Sequence, residues 1–264
     1  MSYIISYACC SATGLVRKNH EDNFLVSGKN LPHLNHGTEG IVEGYVRTEE
    51  GPLPVLAVFD GMGGEEAGET AAYLASEQMK QFLADAEEEH DGSENDRIRI
   101  LSDPQTHRFL CELMNQSVLM YAREHRIGIM GTTAAYIAAA GDEVVCVNVG
   151  DSRIYHVRGG QMRQVSTDHT AYDFFYRKGA LTQFLGLPDD EYLLVPAISK
   201  IPCLEGDRYL ICSDGVTDML EDEEILAILL EEEKPASAAG RLLEAVYRNG
   251  ARDNTTLIVC EFHR

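Results

Sequence analysis

Four aspartates in this 264-residue chain follow apolar runs or sit in turns: Asp60 after residues 55–59, Asp151 after Asn148-Val149-Gly150, Asp214 after Ile211-Cys212-Ser213, and Asp253 in Ala251-Arg252-Asp253-Asn254. An apolar run that ends in a carboxylate reads as a buried strand delivering an acid to its tip. Asp-Gly is also an ordinary turn signal, so any one of the four taken alone is more often a turn than a site. Repetition carries the functional reading. With no Cys or His partner at metal spacing, four such acids make an all-oxygen ligand set, which suits Mg²⁺ or Mn²⁺ better than Zn²⁺. Without a cation they would repel one another, and some would have to take up protons. Two ions sharing the carboxylates relieve the repulsion and create a water able to attack phosphorus in line. Arg17 can add a bidentate fork for a phosphate, with a surface ion pair to Glu21 or Asp22 as the equal alternative.

These acids need strand ends to hold them, and the hydrophobic pattern supplies candidates. Behind Asp60, Gly61, Gly63 and Gly64 let the chain turn, and Ala71, Leu74, Ala75, Gln78, Met79 and Phe82 predict a helix over residues 65–82. Residues 3–9 read as the first strand, with a turn at 11–14. Residues 28–54 read as a hairpin excursion with a short strand at 41–46; its His33 and His36 lack further ligand spacing and read as exposed loop histidines. A loose acidic connection is expected at 85–96 and a helix at 104–125. Short apolar stretches at 132–139, 143–149, 152–157 and 161–165, separated by turn signals, predict an antiparallel meander. Residues 171–196 are mixed, 208–212 form a strand, 218–230 and 236–247 are amphipathic helices, and 255–262 form a last strand. Strand blocks alternating with helix pairs predict an α+β fold, a β-sandwich between helices, in a single domain over residues 1–264.

Composition narrows the function classes. Lys and Arg number 22 against 43 Asp and Glu, a formal charge of −21, which disfavours nucleic acid and anionic membranes as partners. The acidic runs at 85–96 and 221–233 read as solvated surface. Seven cysteines, an odd number with no CxxC pair, read as reduced core residues. The first ten residues lack the pattern of a signal peptide, and no apolar run approaches the roughly 20 residues of a spanning helix, so a soluble, cytoplasmic protein is expected.

Six motifs in order carry a resemblance: Arg17-Lys18-Asn19-His20-Glu21-Asp22, Asp60-Gly61-Met62-Gly63-Gly64 followed by Gly68, Gly131-Thr132-Thr133, Asn148-Val149-Gly150-Asp151-Ser152-Arg153, Ser213-Asp214-Gly215 and Asp253-Asn254-Thr255-Thr256. The chain resembles the metal-dependent protein serine/threonine phosphatases of the PP2C-like (PPM) family, in particular its compact bacterial members. The resemblance implies a four-layer αββα fold and a centre of two Mn²⁺ or Mg²⁺ ions, with a third, weaker site. Asp60, Asp214 and Asp253 then match the direct carboxylate ligands and Gly61 a backbone ligand. Glu21 matches an acid acting through water, Asp22 a partner that orients its neighbours, Asp151 a ligand of the third ion, and Arg17 the phosphate-binding arginine. Phosphorylated proteins, supplied by a serine/threonine kinase, are the implied substrates, hydrolysed by water without a phosphoenzyme, and a monomer is expected.

Three departures from the family pattern stand out. Met62 lies where many eukaryotic members have a histidine proposed as general acid, so the leaving oxygen must draw its proton from elsewhere. His20 replaces the usual asparagine, shifting a local hydrogen bond without removing a ligand. Between Thr167-Asp168-His169-Thr170 and Leu181-Thr182-Gln183-Phe184-Leu185-Gly186 the flap segment is shortened, which implies a more open cleft and weaker discrimination among phosphopeptides. Two other readings are a phosphoprotein-binding pseudophosphatase, disfavoured because each direct ligand is present, and a two-metal hydrolase of small phosphoesters.

Overall fold

A computed structural model of the chain describes residues 2–63, 67–89, 93–172, 178–188 and 192–264. Alternation along the strands decides how they stack. In β1 (Ile4–Ala12), Ile5, Tyr7 and Cys9 face one core while Ala8 and Cys10 face another. In β4 (Val55–Gly63), Leu56 and Val58 join that first core, and Val55, Ala57 and Phe59 face a third. Strands apolar on both faces must be covered on both, and two sheets packed together with helices outside achieve this.

The first sheet runs β3 (Val42–Arg47), β1, β14 (Thr255–His263), β13 (Arg208–Cys212), β8 (Arg153–Arg158), β9 (Gln161–Gln164). The second runs β12 (Ala197–Pro202), β7 (Glu143–Val149), β6 (Ala134–Ala140), β4, β2 (Asp22–Val26), with β5 (Met130–Thr132) paired to the end of β4. All these pairings are antiparallel. Outside the second sheet lie α1 (Ala67–Glu89), α2 (Glu94–Ser102) and α3 (Pro104–His125), contributing Met79, Leu101, Leu110 and Met114. Outside the first lie α4 (Asp214–Thr217), α5 (Asp222–Glu231) and α6 (Pro235–Arg248), contributing Val216, Ile225, Ile228 and Leu242. The layers are therefore helix, sheet, sheet, helix, as expected. All seven cysteines are free and buried.

Several boundaries differ from the sequence reading. β1 continues into the expected turn as far as Ala12, with Ser11 and Ala12 paired to Thr256 and Thr255, and the turn follows at 14–16. The expected loose connection at 85–96 is largely helical. Here α1 runs to Glu89, and α2 starts at Glu94 behind Ser93, whose Oγ accepts from the Asp96 N–H. That cap and the acidic first turn favour a helix despite the polar composition. The start of the helix expected at residue 65 falls partly outside the described residues, since 64–66 are not described and α1 begins at Ala67. The helix expected at 218–230 starts later, as α5 at Asp222, and the short α4 ends at Thr217, ahead of it. In the stretch at 171–196, β11 (Lys178–Leu181) pairs with β10 (Thr170–Tyr172) in a two-stranded ribbon. His33 is not an exposed loop residue: half-buried, it bonds Thr70 Oγ1 at 2.8 Å and packs on Tyr73.

Buried in α2, the Arg97 guanidinium donates to three carbonyls, those of Thr48, Gly51 and Pro52, and so pins the segment ahead of β4. Arg97→Ala leaves those acceptors without their donor. Chemical denaturation should show a loss of about 2–3 kcal/mol; a loss below about 0.5 kcal/mol would mean that the segment is held without Arg97.

Candidate active site

Asp60 sits where β4 leaves the sheet, and the neighbouring strands brace its backbone. Its N–H donates to Thr133 Oγ1 at 3.0 Å, and its carbonyl accepts from the Thr133 N–H at 2.9 Å and from Thr132 Oγ1 at 3.0 Å. Thr133 Oγ1 lies 2.6 Å from Ser152 Oγ, tying this strand end to the turn that carries Asp151. Glycine is required next to Asp60. A Cβ on Gly61 would stand 2.2 Å from the Gly68 carbonyl oxygen and 2.4 Å from that of Glu21. The first turn of α1 and the Glu21 backbone therefore close on the strand end.

Asp22 faces Asp60 across the β2–β4 ladder and is buried, at 2% exposure. Ser213 Oγ donates to its Oδ2 at 2.9 Å, and the Thr256 N–H donates to Ser213 Oγ at the same distance. Ser213 precedes Asp214, the first residue of α4. A Cβ on Gly215 would lie 1.9 Å from the Asn254 carbonyl oxygen, so the Asp214 turn and the start of β14 touch backbone to backbone. His20 is buried, and that burial lowers its pKa to about 4, with His36 adding to the shift. The neutral ring accepts from the Asp22 N–H at Nδ1 (3.3 Å), which leaves Nε2–H to donate to Ser11 Oγ at 2.8 Å. Ser11 in turn lies 2.6 Å from Thr256 Oγ1. His20 thus serves the local frame, as expected, and is not among the residues lining the pocket.

Asn254 fixes the segment that carries Arg17 and Glu21. Its Oδ1 accepts from the Glu21 N–H at 2.8 Å, and its Nδ2 donates to the carbonyls of Thr13 and Asn19, each at 2.9 Å. The half-exposed Arg17 reaches across and pairs Nη2 with Asp253 Oδ2 at 2.6 Å. The sequence places Asn254 in a motif without giving it a task; the signal is a polar side chain 5% exposed at the start of an apolar strand. Thr133, Ser213 and Ser11 are of the same kind.

Arg17, Glu21, Asp60, Gly61, Met62, Asp151, Asp214 and Asp253 all line one pocket of about 370 Å³, bordered on the far side by Gly179, Ala180 and Leu181 of β11. Each site residue singled out in the sequence is therefore at the pocket or, like Asp22, directly beneath it. Burial, and then the charges of Asp22, Asp214, Asp151 and Asp253, push the Asp60 pKa well up. Burial raises Glu21 to about 7 against the lowering effect of Arg17, and raises Asp22 to about 7 against hydrogen bonds from Thr256 and Ser213. Such a set of oxygens, each making its neighbours harder to ionise, fits hard divalent cations, whose charge would reverse those shifts. Among the described residues, no three His, Cys, Asp or Glu side chains are drawn together closely enough to grip an ion. Arg17 instead neutralises Asp253. The middle of the flap, residues 173–177, lies outside the described residues, and with it most of the expected shortening.

Removal of the Asn254 side chain is expected to loosen this corner alone. In Asn254→Ala, hydrogen exchange should quicken at the amides of residues 13–21 while those of β4 and β6 keep their protection. Unchanged exchange at 13–21 would show that Leu15, whose N–H donates to the Ala251 carbonyl, suffices to hold the segment.

Comparison with known proteins places this geometry. A serine/threonine protein phosphatase, PstP of Mycobacterium tuberculosis, is 28% identical over 271 aligned positions, covering 99% of this chain and 46% of the relative. The chain thus spans about half the length of that curated relative. A serine/threonine phosphatase of Listeria innocua, stp, is 28% identical over 246 positions, covering 88% of this chain and 91% of its own. The solved catalytic domain of PstP, in complex with two manganese ions, superposes with a TM-score of 0.74 at 27% identity, covering 99% of this chain and all of that one. The family model described as Protein phosphatase 2C matches residues 43–245. From β3 to α6, a span that includes Asp60, Asp151 and Asp214, the chain belongs to the protein phosphatase 2C family.

Proposed function

We propose that this chain is a metal-dependent protein phosphatase that hydrolyses phosphoserine and phosphothreonine. The observation that carries the reading is the gathering of Asp60, Asp151, Asp214, Asp253 and Glu21 around a pocket rimmed by Arg17. Asp60, Asp214 and Asp253 with the Gly61 carbonyl would hold two Mn²⁺ or Mg²⁺ ions, Glu21 would stand beside them, and Asp151 with Asp214 would hold a third. Bound there, the ions would neutralise the phosphoryl oxygens and supply a nucleophilic water at neutral pH. Asp22 and Ser213 keep the acids oriented from below.

Arg17 has the second task. Its side chain is 54% exposed and pairs with Asp253, so it can exchange that carboxylate for a phosphate at the pocket mouth with a bidentate fork. Met62 borders the pocket and carries no proton to give, which leaves the leaving oxygen to be protonated by water or a neighbouring acid.

We further infer that residues 1–264 act as one catalytic domain. Support comes from β1 and β14, which pair along nine residues each and contribute to both cores of the first sheet. Its substrates would be cytoplasmic phosphoproteins made by a serine/threonine kinase, met by a monomer. The charge of −21 supports the absence of nucleic acid and anionic membrane among the partners. Among the described residues, no helix is long and apolar enough to cross a membrane.

The test is hydrolysis of a phosphothreonine peptide with Mn²⁺, with Mg²⁺ and with EDTA, beside Asp60→Asn and Asp214→Asn. Turnover is expected with either metal and should fall to the EDTA background in both variants. A folded wild-type protein that binds Mn²⁺ yet releases no phosphate would instead support a phosphoprotein-binding module. Faster turnover of nucleotides than of phosphopeptides would support a hydrolase of small phosphoesters.

A further inference from the structure

Beside the acidic pocket lies a second, larger depression of about 810 Å³, between the C-terminal end of α3 and the chain that follows the flap. Its walls are mostly apolar, among them Leu119, Ile129, Met130, Phe184 and Leu187. Ile129 is 73% exposed and Tyr192, on the rim, 58%. Apolar surface left open on so acidic a protein marks a place where something binds.

Two features say what. The depression is continuous with the pocket: residues 179–181 border the acids, and from Leu181 the same stretch turns to line the groove through Pro188. Within that stretch, Phe184 meets Met62 of the pocket over Gly131, where a Cβ would stand 2.6 Å and 3.1 Å from them. A chain whose phosphorylated residue lies at the acids can therefore continue into the groove past Leu181. Among the described residues, the rim also carries two arginines, Arg123 and Arg126. Arg126 ends α3 in the left-handed conformation (φ 58°), its N–H on the Ala122 and Arg123 carbonyls; among the described residues its exposed side chain has no acidic partner.

We propose that this groove binds the part of the phosphoprotein substrate that flanks the phosphorylated residue, and that it selects an apolar side chain accompanied by an acidic one. The proposal rests on the phosphatase reading and names the substrate class for that same site. The apolar residue is buried against Ile129, Phe184 and Leu187, and the acid pairs with Arg126. The overall charge of −21 opposes an acidic ligand at long range. At physiological salt that field is screened beyond about 8 Å, so charges at the groove itself decide the outcome, and among the described residues Arg126 is the one placed to pair with an acid.

The experiment compares dye-labelled phosphothreonine peptides flanked on both sides by Leu-Glu, Leu-Gln or Ser-Glu, by fluorescence anisotropy in EDTA. Wild-type protein should bind the Leu-Glu peptide about tenfold more tightly than either of the others. Arg126→Glu should abolish the preference for Glu, and Ile129→Asp the preference for Leu. With Mn²⁺, p-nitrophenyl phosphate turnover should be the same in wild type and both variants, since neither residue lines the acidic pocket. Equal binding of the three peptides, or preferences that survive both substitutions, would overturn the groove. A concentration-dependent dimer that Ile129→Asp dissolves would overturn it too, assigning the surface to a second copy. No Mn²⁺-dependent turnover of any phosphoester would overturn the phosphatase reading beneath it, whereas turnover without peptide preference would overturn the groove alone.

Discussion

Carboxylates that share a poorly hydrated pocket repel one another, and the frame of this protein exists to keep several of them together regardless. Asp22 and Asp60 face each other on adjacent strands, and Asp214 and Asp253 arrive from the opposite sheet. Left to themselves such groups would separate or take up protons. The rigidity of two sheets covered on both faces prevents the first, and the raised pKa of Asp60, Asp22 and Glu21 expresses the second. The fold in this sense stores unfavourable electrostatics that a divalent charge would relieve.

Around the acids stands a shell of neutral hydrogen-bonding side chains: Thr133, Ser152, Ser213, Thr256, Ser11, His20 and Asn254. They connect strand ends from both sheets through bonds such as Thr133 to Ser152 and Ser213 to Asp22. None adds charge to a region already rich in it. Their contribution is position, because a ligand set for a hard cation tolerates little displacement of its oxygens.

Much of this was legible in the sequence because the relevant signals are local. An apolar run ending in Asp60, the glycines behind it and the meander that presents Asp151 can be read within windows of ten residues, and a sandwich between helices follows from strand blocks that alternate with helix pairs. The losses have physical causes as well. α2 is so polar that it reads as solvated chain, and only the Ser93 cap and two inward residues, Arg97 and Leu101, give it away. His33 reads as a loop residue because its partners, Thr70 and Tyr73, belong to a helix nearly forty positions later. The tasks of Asn254 and Ser213 depend on contacts with Glu21 and Asp22, 233 and 191 positions away, which no local pattern encodes.

The pairing of β1 with β14 has a consequence for how the molecule comes into being. Ser6 and Glu261 are neighbours in the centre of the first sheet although 255 positions separate them. Closing so long a loop precedes any reward from the contacts that it allows, and topologies dominated by distant pairings fold slowly. Asp253 lies immediately before β14, so the acidic cluster cannot be complete until that strand has joined β1 and β13. The acids that line the pocket therefore come together only when the most distant pairing of the first sheet has formed.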